Sequence, residues 1–80
     1  MTDITTRKPL RVLTAVEAGP YIPIPEAQVP EVTAILRAHG IPFDVDEFAI
    51  ALDDGPETTV INLGRRVDAV AVQRLLDKSP

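Results

Sequence analysis

Six carboxylates stand in one stretch that contains no cation. Between Arg37 and Arg65 the 80-residue chain has no Lys or Arg, yet it carries Asp44, Asp46, Glu47, Asp53, Asp54 and Glu57. Carboxylates gathered in this way have three chemical uses. They can attract a basic protein surface, where opposite charge speeds encounter and selects the partner. They can hold a divalent cation; Asp44-x-Asp46 and Asp53-Asp54-Gly55 match fragments of a calcium loop but lack its twelve-residue frame and closing Glu. They can also keep a strand edge and a turn solvated, which blocks edge-to-edge pairing. We take Asp44, Asp46, Glu47, Asp53 and Asp54 as candidate partner-binding residues and expect no metal and no cofactor.

Gly64-Arg65-Arg66 lies ahead of an amphipathic stretch opened by Asp68. A helix start offers free N–H groups and a positive dipole end, so two adjacent arginines could complete a site for an anionic metabolite. A single glycine is far from a dinucleotide or Walker fingerprint. The bland alternative is that the arginines pair with the acidic stretch or face water. His39 is the only histidine, and no nucleophile or orienting carboxylate is spaced to work with it. Its plainer role is a helix-terminal residue half covering the core. Pro20-Tyr21-Ile22-Pro23 matches P-x-x-P, a pattern common by chance. Tyr21 is the more useful signal, because a lone tyrosine on a strand edge suits an interface anchor.

The elements that position these residues follow from pattern. Met1–Pro9 is polar and reads as a flexible tail, so the domain is expected over residues 10–80. Leu10–Val16 is β-rich and reads as a strand. Tyr21–Pro25 alternates apolar residues with proline, which predicts an edge strand or an extended polyproline-like segment rather than a central strand. Glu26–Gln28 predicts a turn separate from the helix that follows. Pro30, an apolar set at Val32, Ile35, Leu36 and His39, then Gly40, Ile41 and Pro42, mark a helix and its stop. Phe43–Leu52 alternates with a slip at Asp46-Glu47, which predicts a bulge. Asp53-Asp54-Gly55-Pro56 predicts the turn of an antiparallel hairpin with Thr58–Leu63. Asp68 reads as an N-cap with Val67 and Val72 as a hydrophobic staple, and Val72, Leu75 and Leu76 as the buried stripe.

The predicted order is β-β-α-β-β-α: an α+β two-layer sandwich, with a small mostly antiparallel sheet and two helices on one face. Net charge is −4, which opposes nucleic acid binding. The chain has no cysteine and no long apolar run, so no disulfide, no transmembrane helix and a cytoplasmic location are expected. These features predict a small acidic non-catalytic interaction or regulatory module. Its expected partner is a basic protein, with a homodimer compatible. The alternative is a small-molecule sensor binding an anionic metabolite at Gly64–Asp68.

Overall fold

The computed structural model describes residues 1–4, 6–46 and 57–79. Strand β1 (Leu13–Ala15) turns through Val16–Ala18 into β2 (Gly19–Pro25). A single 3-10 turn, Glu26–Gln28, leads straight into helix α1 (Val29–Ala38). Strands β3 (Asp44–Val45) and β4 (Thr58–Asn62) and helix α2 (Ala69–Lys78) complete the order. The sheet is antiparallel throughout, with strand order β1-β2-β4-β3. It is an α+β fold, as the residue patterns predict. The expected hairpin pairing between the third and fourth strands is present, whereas its tip and the bulge at Asp46-Glu47 fall at or beyond the limit of the described residues.

Register sets the two faces of the sheet. Ile22 lies opposite Ile61 and Ile24 opposite Thr59, and all four are buried. Side chains alternate along a strand, so these residues share the face that the helices cover. Val32 and Leu36 of α1 and Val72 and Leu76 of α2 join them in one aliphatic core. Burying each such side chain contributes about 1.5–3 kcal/mol.

The helix signals are local and are met. In α1, Pro30 occupies the first turn, where its missing N–H is not needed. Gly40 adopts φ +67, its N–H donates to the Arg37 carbonyl (3.1 Å), and the Ile41 N–H donates to the Leu36 carbonyl (2.9 Å). That pair of bonds is a Schellman stop, and it uses the one residue type that takes a left-handed backbone freely. His39 is the C-cap and is exposed, so it does not half-cover the core as its spacing suggests. The core-facing polar residue of α1 is Thr33, whose hydroxyl donates back to the Val29 carbonyl at 2.9 Å. In α2, the Asp68 carboxylate accepts from the N–H groups of Val70 (2.9 Å) and Ala71 (3.4 Å). Val67 packs against the core of which Val72 is part, as a staple would require.

Two expectations change. Strand β2 lies between β1 and β4, so it is central where an edge strand was expected. The hydrogen-bond phase explains how it tolerates its prolines. The Leu63 N–H donates to the Pro20 carbonyl (3.0 Å) and the Glu26 N–H to the Glu57 carbonyl (2.9 Å), so the even-numbered residues of β2 face β4. Pro23 and Pro25 therefore point their missing N–H groups toward the β1 side. There the ladder has already ended, at Leu13 opposite Tyr21. Pro23 cannot donate to Arg11, so β1 is three residues long instead of running from Leu10. The second correction concerns Glu26–Gln28. The turn is continuous with α1, and the change from 3-10 to α bonding at Gln28 spares Pro30 a ladder bond.

Met1–Pro9, a tail by composition, is bonded to the body of the fold. Thr2 bridges Pro9, and the Gln28 side-chain amide donates to the Thr2 carbonyl (2.7 Å) and accepts from the Ile4 N–H (2.9 Å). Polarity marks such a segment as exposed but says nothing of a buried amide waiting for its backbone.

Candidate functional site

The face of the sheet away from the helices gathers residues that lie far apart in the chain. Leu13 pairs with Tyr21, Tyr21 with Asn62, and Asn62 with Asp44. These four residues form one row across four strands, on the parity opposite to Ile22 and Ile61. Pro23 and Val60 form the next row, where the Asp46 N–H donates to the Val60 carbonyl at 3.0 Å. Asn62 Nδ2 donates to Asp46 Oδ1 at 2.8 Å, which holds that carboxylate on the same face. Leu13 is 43% exposed, Pro23 is exposed, and Tyr21, Val60 and Asn62 are half-buried. The result is an apolar strip through Leu13, Tyr21, Pro23 and Val60, bordered by Asp44 and Asp46. From the strand spacing, Tyr21 and Asp44 stand about 10 Å apart. Comparison with known protein families, with curated proteins and with solved structures gave no match.

Of the partner-binding candidates, Tyr21, Asp44 and Asp46 meet on this face. Glu47, Asp53 and Asp54 lie outside the described residues. Among the described residues, no group of three or more His, Cys, Asp or Glu could hold a metal ion.

The anion-binding candidates are placed differently. Two N–H groups at the start of α2, those of Val70 and Ala71, donate to the chain's own Asp68 carboxylate, which also opposes the dipole end an anion would use. Arg65 Nε donates to the Glu17 carbonyl, and Arg66 is exposed. Gly19 lets the β1–β2 turn close on this segment: a Cβ there would stand 2.8 Å from the Arg65 amide nitrogen. Gly64 and Arg65 thus take part in a contact between two turns.

A carboxylate pair that the sequence does not announce lies at the opposite end of β2. Glu26 and Glu57 come together because the β2–β4 register continues one step past Pro25 and Thr58. A hydrogen bond between the two carboxyl groups, followed by repulsion between their charges, raises the pKa of Glu26 above its ordinary value. Both residues are exposed. Extending the antiparallel register would have found the pair, but that requires knowing which strands are neighbours.

Proposed function

We propose that this chain is a non-catalytic interaction module that docks a basic protein face-on against the open side of its sheet. One observation carries the reading: the Leu13–Tyr21–Asn62–Asp44 row places a tyrosine anchor, an apolar strip and a carboxylate border on one surface. Tyrosine in the centre of a patch is a common energetic anchor, and charges at the border select and steer the partner. A second copy of this chain fits less well. Two such faces would bring two carboxylate borders into one interface, on a chain of net charge −4. A metabolite sensor at Gly64–Asp68 has less support, because Asp68 already occupies the helix start.

The test uses the immobilised full chain to capture protein from a lysate of the source cells, beside Tyr21→Ala, Asp44→Lys and a control, Glu31→Lys, on the exposed side of α1. The expected result is one basic species that binds the natural chain and the control. Tyr21→Ala should weaken it by about 2 kcal/mol, roughly 30-fold. Asp44→Lys should lower affinity most at low salt. Capture that ignores both face variants, or no basic species at all, overturns the reading.

A further inference from the structure

Two glutamines treat the N-terminal residues as if they were a bound peptide. Gln28 donates from Nε2 to the Thr2 carbonyl (2.7 Å) and accepts at Oε1 from the Ile4 N–H (2.9 Å). Gln73, on α2, repeats the pattern. Its Nε2 donates to the Leu10 carbonyl (2.9 Å), and its Oε1 accepts from the Val12 N–H (2.7 Å). Each amide spans the carbonyl of one residue and the N–H of the second residue after it. That is how a neighbouring strand would bond to an extended segment, so each side chain replaces one rung of a ladder.

The segment they hold is a unit in its own right. The arms Met1–Ile4 and Thr6–Leu10 fold together through the Thr2–Pro9 bridge. The Asp3 N–H donates to the Lys8 carbonyl (2.9 Å), and the Leu10 N–H to the Met1 carbonyl (3.0 Å). Leu10 is its plug, 2% exposed and part of the core, with Met1 packed beside it. The Met1 amino group also donates to the Leu76 carbonyl. The unit ends at Arg11, which is exposed and faces Pro23, a residue with no N–H to offer it. The ladder that would have tied these residues to the sheet is therefore missing at one position, between the bonded pair of arms and β1.

We propose that the two arms form a lid that opens as one body about Arg11. Gln28 is the latch at its far end and Gln73 the clamp at its hinge. Opening withdraws Leu10 from the aliphatic core and uncovers the apolar seat it fills, while the sheet stays intact. Units of this kind open below the global unfolding free energy and expose little surface as they do so. The lid does not depend on the partner reading given above.

Native-state hydrogen exchange on the unmodified full chain tests the idea. The Ile4 amide, bonded across the lid boundary, should exchange through an opening of lower free energy and smaller urea slope than the core amides of Ile61 and Leu76. Gln28→Met keeps an unbranched side chain of similar length and removes both latch bonds. Placed in Leu10→Cys, it should speed labelling of the thiol by roughly tenfold or more. A second reading needs no latch variant: the natural chain has no cysteine, so the single thiol of Leu10→Cys should be labelled faster than that of Ile61→Cys. The proposal is overturned if the Ile4 amide exchanges with the core's free energy and urea slope, if the Leu10→Cys thiol is labelled no faster than that of Ile61→Cys, or if Gln28→Met leaves the labelling of Leu10→Cys unchanged.

Discussion

Gly19 offers a quantitative check on how the two turns meet. Its φ is +84, and a Cβ built on it lies 2.8 Å from the Arg65 nitrogen, 2.9 Å from the Arg65 Cα and 2.9 Å from the Gly64 carbonyl carbon. Those atoms are all backbone, so no side chain can swing aside. Gly40 is the matched control, with φ +67 and nothing within 4 Å of its Cβ position. Gly40→Ala should meet only the backbone term, about 1–2 kcal/mol for an L-residue forced into the left-handed region. Gly19→Ala should meet that term plus overpacking, typically a further 1–3 kcal/mol, for a total of about 2–5 kcal/mol. A domain of this size is stable by about 4–12 kcal/mol, so the difference is large. Urea denaturation of both variants measures it, and each kcal/mol also corresponds to a melting shift of roughly 4–8 °C. If Gly19→Ala costs no more than Gly40→Ala, the turn-to-turn contact does not constrain the fold and the argument from close approach fails.

Two further outcomes follow from the caps and charges. Asp68→Ala should destabilise the domain by about 0.5–2 kcal/mol in the same urea assay, because the Val70 and Ala71 N–H groups lose their acceptor. The raised Glu26 pKa makes a stability contribution that is fully present below the ordinary value of 4.5 and is lost as pH rises through the higher folded value. Melting temperatures across the acidic range should therefore show Glu26→Gln lacking that component of the pH dependence, whereas identical profiles would exclude the pair as a source.

Local signals in the sequence carried the helices. Pro30, Gly40 and Asp68 act within a turn of where they sit, so residue type alone placed both helices, the stop of α1 and the N-cap of α2. The apolar spacing named Val32, Leu36, Val72 and Leu76 as core for the same reason. What escaped was non-local. The prolines of β2 argued for an edge, and Pro23 and Pro25 do face away from the nearest complete ladder. Only the pairing of Gly19–Tyr21 with β1 makes the strand central. Tyr21 and Asp44 were separate candidates until register placed Asn62 between them. Gln28 and Gln73 gave no warning, since a neutral amide fits equally well in solvent or in a backbone clamp.

The way the sheet ends bears on how copies of this chain can meet. Along its β1 border, the Gln73 amide already occupies the Leu10 carbonyl and the Val12 N–H. The other border is the two-residue β3, which carries Asp44 and is followed by Asp46. Neither border, over the described residues, presents the long row of open donors and acceptors from which a filament could grow strand by strand. A two-fold contact through the flat of the sheet would use up that face on both copies, so assembly by such a contact would stop at a pair.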